Sequence, residues 1–443
     1  MLLKLNLELT FLVFLCILEY KISWRLTMLS KKLINKKLGQ GAFAMARQVK
    51  ELKKTTDNSK IINSTIGTFF DNNENLLIFD TVEKIYKELP PVDIFGYASG
   101  VSGSAEYKEA VKKDILSNHF DLFKQTKTYI DVTATAGGTG AIHNTFKGYS
   151  EEEDTVLLPD FMWEAYINLS QANNLNYETY SLFSGDSFDL EGFSEKILRI
   201  IKKQKKIIIV INDPCQNPTG YSLSFEEWKA IVEILKKASS YGEVILLNDI
   251  AYIDYDFRGK ELSRKHFSLF ANLPKNILVI LAYSMSKSFT CYGLRSGAQI
   301  AISSSQEIIE EFSYSSEFLC RTSWSNISKG GMSILSKILN NDTYLNEIDA
   351  NRIEWVNLLK ERAKVFLEHA EKENLNHCPF KGGFFITIPI SEHKEKILKY
   401  LIEKNIFVLP LKNGIRVAIC SVPTEKLKKL PKEIKKAIDN FQI

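Results

Sequence analysis

The sequence predicts a two-domain α/β protein: a larger part built on a mostly parallel sheet, followed by a smaller α+β unit. Three observations carry this. From about Asn75 to Asn340, short apolar runs alternate with amphipathic helical stretches. Most of those runs are apolar on consecutive residues, as strands covered on both faces are. After Asn340 the pattern changes to one long amphipathic stretch and several short strands.

In chain order, strands are expected at Tyr129 to Ala134, Thr155 to Leu158, Lys206 to Ile211, Val244 to Asn248 and Ile277 to Tyr283. Between them, Ser224 followed by Glu227 forms a capping box. Trp228, Ile231, Val232 and Leu235 then recur at i, i+3, i+4 and i+7, the apolar face of a helix. Beyond Asn340 a long helix is predicted from about Tyr344 to Glu373. It is followed by a strand at Phe384 to Ile390, a helix near Glu392 to Lys404, and short strands near Phe407 to Leu409 and Ile415 to Ile419. The large domain thus spans 75–343 and the small C-terminal domain 344–443.

The chain has 443 residues, 45% hydrophobic and 25% charged, the balance of a globular protein with ample core. Its net charge is only +4, against the dominant basic face of a nucleic-acid binder. The Lys-rich stretches Lys202 to Lys206 and Lys426 to Lys436 read as solvated faces and element ends. Cys16, Cys215, Cys291, Cys320, Cys378 and Cys420 make no CxxC, and no HExxH pattern occurs. No metal site is expected, and reduced thiols suit a cytoplasmic protein. The apolar run Phe11 to Leu18 is bounded by Glu8, Glu19 and Lys21, too short for a membrane span of roughly 20 residues. Residues 1–27 read as an upstream extension of the reading frame, with a signal or anchor as the alternative.

The chemistry-bearing motifs fall at strand ends, where open α/β sheets place their ligand sites. Ala136-Gly137-Gly138-Thr139-Gly140-Ala141 lies between a strand and a helix. It suits either an anion at the helix N-terminus or a tight turn. Asn217-Pro218-Thr219-Gly220 makes a turn after the Lys206 strand. Asp249 in Asp249-Ile250-Ala251-Tyr252 ends the next strand, where a buried carboxylate needs a partner or serves as a helix cap. Ser284-Met285-Ser286-Lys287 follows an apolar strand, and Tyr292-Gly293-Leu294-Arg295 comes just after it. Desolvation and neighbouring cations lower a lysine pKa, so the free amine of Lys287 can attack an aldehyde. Together these support a phosphate cradle, a reactive lysine and a buried acid on one sheet edge.

In order and spacing these motifs resemble class I pyridoxal-phosphate-dependent aminotransferases, the aspartate and aromatic aminotransferase family, from about Asn63 to the end. The resemblance implies the aspartate-aminotransferase-like fold, with residues 28–74 as an N-terminal arm and part of the small domain. It implies pyridoxal 5'-phosphate as cofactor, covalently held by Lys287. Asp249 would pair with the pyridine nitrogen, and Asn217 and Tyr252 would bond the phenolic oxygen. Gly137, Gly138, Thr139, Ser284 and Arg295 would bind the phosphate, joined by Tyr97 from a partner subunit. Phe161 would be the ring stacked on the pyridine, with Trp163 as the other choice. Gly67, Asn217 and Arg416 would meet the substrate, Arg416 gripping its α-carboxylate bidentately. Arg321, in a segment similar to the family's Arg-x-x-Tyr-Ser-Asn but with Trp324 for Tyr, would reach a neighbouring subunit's site and a distal carboxylate. The expected protein is a homodimer with shared active sites. It moves an amino group between an L-amino acid (aspartate, glutamate or aromatic) and a 2-oxo acid such as 2-oxoglutarate. A carbon–sulfur β-lyase, or another lyase or decarboxylase on the same fold, is the alternative.

Overall fold

The structure, a computed structural model, describes residues 41–441 together with Met28, Leu29, Leu33, Ile34 and Lys36. The expected extension at 1–27 lies outside the described residues. The strands are β1 (Ile62–Ser64), β2 (Tyr129–Ala136), β3 (Thr155–Pro159), β4 (Asn176–Tyr180), β5 (Phe183–Ser184), β6 (Ser187–Phe188), β7 (Lys206–Asn212), β8 (Glu243–Asp249), β9 (Ile277–Ser284), β10 (Ser296–Ser303), β11 (Phe385–Pro389), β12 (Ile406–Leu411) and β13 (Gly414–Ala418).

The large sheet has the order β2-β10-β9-β8-β7-β3-β4. It is parallel except for β10, which runs antiparallel to both neighbours. Its central members are the expected apolar runs; every residue of β9 and β10 is buried. Strands β4 and β10 were not expected. The first is half exposed, and the second opens on Ser296-Gly297 and carries Gln299, so neither reads as an apolar run. The two faces of the sheet are covered by separate apolar clusters.

The helix Phe225–Ser239 starts at the anticipated capping box. Ser224 Oγ accepts from the Glu227 N–H at 3.1 Å, and Glu227 Oε2 accepts from the Ser224 N–H at 2.7 Å. The long C-terminal helix runs Asp342–Lys372, capped by Asn341. The remaining sheet is β1-β12-β13-β11, with β1 parallel to β12. An N-terminal segment therefore completes a sheet otherwise made by residues after 384. Phe79 stacks on Trp355 at 4.2 Å, and the larger apolar cluster runs without a break from the large sheet into the small one. Among the described residues, no helix is long and apolar enough to cross a membrane.

Register aligns the strand ends. Asn212 lies opposite Asp249, Asp249 opposite Ala282, Ser284 opposite Gly297, and Ser296 opposite Ala136. Gly297 is where the helix beginning at Gly137 meets this edge. A Cβ there would stand 2.4 Å from the Tyr283 carbonyl oxygen and 2.7 Å from the Gly137 carbonyl carbon. Gly297→Ala is therefore expected to lower stability by about 1–3 kcal/mol, the usual cost of overpacking. Urea unfolding checks this; an unchanged midpoint would mean a looser junction than described.

Candidate active site

Asp249 is buried where β8 ends. Its Oδ2 accepts a 2.6 Å hydrogen bond from the Tyr166 hydroxyl, and its Oδ1 one of 3.1 Å from the Ala251 N–H. Burial raises its pKa, opposed by these bonds and by the charge of Lys287. A carboxylate in such surroundings is matched by a cationic hydrogen-bond donor such as a protonated ring nitrogen. Tyr166 was not singled out from the sequence, because its partner lies 83 residues away.

Lys287 stands on the short turn Met285–Ser288 that follows β9. Its Nζ is 4.8 Å from the centroid of the Tyr292 ring and 5.9 Å from that of Tyr252. The Tyr292 hydroxyl accepts from the Phe69 N–H at 3.1 Å, which draws the chain near Gly67 into the cluster. Burial, aided by Arg416 and Arg295, lowers the Lys287 pKa from 10.5 to about 8. Tyr252 packs edge-on against Phe384 and Phe385 at 5.3 and 5.5 Å, and burial raises its phenol pKa.

Beside the lysine, the helix Gly137–Tyr149 begins directly after β2. Gly137 has φ +67°, and a Cβ there would lie 2.7 Å from Arg295 Nη2; the Cβ position of Gly138 is 3.5 Å from Ser284 Cβ. Arg295 Nη1 donates to Ser286 Oγ and to the Tyr292 carbonyl, each at 3.0 Å. The helix N-terminus, with Thr139 on its first turn, thus converges with Ser284, Ser286 and Arg295 in a cradle for an anion. Ser286 joins this cradle through its bond to Arg295.

Across the cluster, Arg416 on β13 is buried with its guanidinium 4.0 Å over the Phe385 ring. Nη1 donates to Asn217 Oδ1 at 2.9 Å and Nη2 to the Thr65 carbonyl at 2.7 Å, while Nε has no partner. Burial lowers its pKa to about 10, so it stays charged at neutral pH. A buried guanidinium with a vacant donor and no salt bridge among the described residues is chemically suited to receive a carboxylate. Asn217 is held by its own N–H, which donates to Asn212 Oδ1 at 2.7 Å. Gly67 lies alongside; a Cβ there would be 2.8 Å from Phe385 Cζ and 3.7 Å from the Tyr252 hydroxyl.

Two expected residues lie elsewhere. Tyr97 is 87% exposed, and Arg321 is exposed at the end of the helix Gln306–Ser323, where it donates to Ser325 Oγ at 2.7 Å. Their segments are tied together, since Asn326 Oδ1 accepts from the Ala98 N–H at 3.3 Å. The ring expected at Phe161 packs toward Phe183, 6.2 Å away. Trp163 instead meets Tyr166 edge-on at 5.6 Å and so adjoins the Asp249 pair.

An amine of lowered pKa, an anion cradle, a buried acid and a carboxylate receptor make the equipment of an enzyme that handles amino acids through an aldehyde cofactor. The comparisons agree. The family described as aminotransferase class I and II matches residues 71–434. An aminotransferase from Anaerococcus prevotii superposes with a TM-score of 0.88 at 33% identity, covering 94% of this chain and 100% of that one. The mitochondrial aspartate aminotransferase of Gallus gallus is 26% identical over 300 residues, 66% of this chain and 68% of that protein. The aromatic-amino-acid aminotransferase of Paracoccus denitrificans is 22% identical over 342 residues, 75% and 83% of the two chains. The chain belongs to the class I and II aminotransferases. It is a pyridoxal-phosphate-dependent aminotransferase, passing an amino group between an amino acid and a 2-oxo acid, and the lyase alternative is not favoured.

In cofactor-free protein the Lys287 amine is expected to be half deprotonated near pH 8. At pH 7 roughly a tenth would be free base, against about one in three thousand for an unshifted lysine. The pH dependence of reductive methylation at this residue checks the value. A midpoint above 10 would mean that the amine is solvated.

Proposed function

We propose that Lys287 is the catalytic lysine and that the donor is aspartate or glutamate, with 2-oxoglutarate as acceptor; an aromatic amino acid is the second reading. The observation carrying the catalytic assignment is Arg416, which bonds Asn217 through Nη1, keeps Nε unpartnered and lies in the same cluster as Lys287; the choice of a dicarboxylate donor rests on Arg321. The residues fit pyridoxal phosphate: Gly137, Gly138, Thr139, Ser284, Ser286 and Arg295 would hold its phosphate, Asp249 its ring nitrogen, and Asn217 and Tyr252 its phenolic oxygen. Trp163, adjoining Tyr166, is the better candidate than Phe161 for the ring platform. When bound, the cofactor supplies an electrophilic carbonyl carbon and an electron sink.

The chain's own residues do the rest. Arg416 binds the substrate α-carboxylate and so orients Cα toward Lys287. The free amine of Lys287 takes the Cα proton onto its Nζ, as a base with a pKa near the working pH does most effectively. Asp249, steadied by Tyr166, keeps its charge against the ring nitrogen. Gly67 lets the chain pass close to Phe385 and Tyr252, where a side chain would intrude.

Tyr97 and Arg321 serve this mechanism only from a partner subunit, so the working form is a homodimer. Supporting it, Phe95, Tyr97, Tyr314 and Phe318 are 84%, 87%, 64% and 67% exposed, apolar surface of the kind that partners cover. Arg321, in the second subunit's site, would pair with the distal carboxylate of the donor. A cytoplasmic setting is supported by the free, buried Cys215, Cys291, Cys320, Cys378 and Cys420.

Lys287→Ala is expected to abolish turnover in a folded protein, and normal transamination by it would sink the assignment. Arg416→Lys keeps the charge but loses the fork, and is expected to raise KM for every donor about 10- to 100-fold. Arg321→Leu should lower kcat/KM for aspartate and glutamate while sparing phenylalanine. Equal losses for all three would remove the dicarboxylate reading.

A further inference from the structure

The helix Asp342–Lys372 carries two buried arginines, Arg352 and Arg362, outside the cluster described above. Arg352 Nη2 and Nε donate to the Ser288 carbonyl at 2.7 and 3.2 Å. That carbonyl closes the turn bearing Lys287, and the Lys287 carbonyl itself accepts from the Tyr255 hydroxyl at 3.1 Å. The Arg352 guanidinium is fixed from behind. Nη1 bonds Asp349 Oδ1 at 2.9 Å, Nη2 is 3.5 Å from Asp254 Oδ2, and the group lies 4.6 Å over the Phe289 ring. Asp254 Oδ1 also accepts from Arg264 Nη2 at 2.6 Å.

Arg362 makes the matching contact at the other end. Its Nη1 donates to the Cys420 and Ile419 carbonyls at 2.9 and 3.4 Å, and its Nη2 to Asn72 Oδ1 at 2.9 Å. Ile419 and Cys420 form the turn by which the chain leaves β13, three and four residues after Arg416. Burying so many charges is a poor way to add stability, because desolvation offsets most of the attraction. What the arrangement supplies is location: ten residues of rigid helix, about 15 Å at 1.5 Å per residue, separate the two grips.

We propose that this helix acts as a gauge between the two halves of the active site. Arg352 and Arg362 are positioning residues that fix the Lys287 amine relative to the Arg416 guanidinium. This rests on the roles proposed for Lys287 and Arg416. Arg352 governs the proton-transfer step through the lysine turn, and Arg362 governs carboxylate binding through the turn after β13.

The test compares holoenzyme carrying Arg352→Met, Arg352→Lys, Arg362→Met or Arg362→Lys. The readouts are kcat, KM, the pH midpoint of the visible absorption change, and the Kd of succinate and 3-phenylpropionate, carboxylates without an amine. Arg352→Met should lower kcat about 10- to 100-fold, the cost of a small misplacement. It should also move the pH midpoint, with carboxylate Kd within about twofold of the parent; Arg352→Lys should recover part of the loss. Arg362→Met should raise KM and both Kd values about tenfold and leave the pH midpoint in place. Asp349→Asn, a milder change at a half-buried site, should reproduce the Arg352 pattern in reduced form if the methionine variants do not fold. Variants that lose only thermal stability, with parental kcat, KM, Kd and pH midpoint, would overturn the proposal. A Lys287→Ala enzyme that still turns over, or an Arg416→Lys enzyme with parental carboxylate affinity, would instead overturn the roles on which it rests.

Discussion

Asp249 and Arg416, both buried, and Lys287, half-buried, share one cluster with no salt bridge among them, and this constraint organises the rest of the structure. Each charge removed from water is costly unless it is hydrogen-bonded or paired. Direct pairing of any two would occupy the groups that substrate and cofactor require. The chain resolves this by giving each its own neutral partners: Tyr166 for Asp249, Asn217 and the Thr65 carbonyl for Arg416, and the rings of Tyr252 and Tyr292 around the lysine. The charges are thereby left expressed. The lysine is pulled toward the pH range where its amine is free, and the arginine keeps a donor in reserve.

The sheet makes this possible by placing groups distant in sequence at one level. Parallel strands β7, β8 and β9 end together, so the residues after each share an edge without long connecting loops. Antiparallel β10 returns the chain beside β9, and the residue before it, Arg295, faces the helix N-terminus at Gly137. The anion cradle and the lysine are thus products of one reversal of direction. Closing the cluster from the far side takes the small sheet, which supplies Arg416 and Phe385 from adjacent strands.

Much of this was legible in the sequence, for physical reasons. Strands β7, β8 and β9 are read from unbroken apolar runs because both faces are covered. Lys287, Asp249 and Asn217 stand at the ends of those runs, with fixed spacing to residues close in sequence. What depended on distant contacts was not legible. Tyr166 looks like any helix tyrosine until its hydroxyl meets Asp249. Arg352, three residues after Asp349, looks like half of a solvated surface pair, yet its guanidinium is buried against Ser288. Strand β10 hides behind Gly297 and Gln299, and the choice between Phe161 and Trp163 turns on a loop geometry that register alone does not give.

The pairing of β1 with β12 makes the smaller sheet a product of segments far apart in the chain. The residues after 384 cannot be lifted out as a self-sufficient module, because β12 would then present a bare edge with unpaired N–H and C=O groups, ready to recruit another chain. The three residues of β1 lead straight into Thr65, Gly67 and Phe69, the stretch that touches Arg416, Tyr252 and Tyr292. Any shift of the small sheet is therefore delivered directly to that cluster. During synthesis the catalytic edge stays unfinished until the last strands emerge and join a segment made some 340 residues earlier.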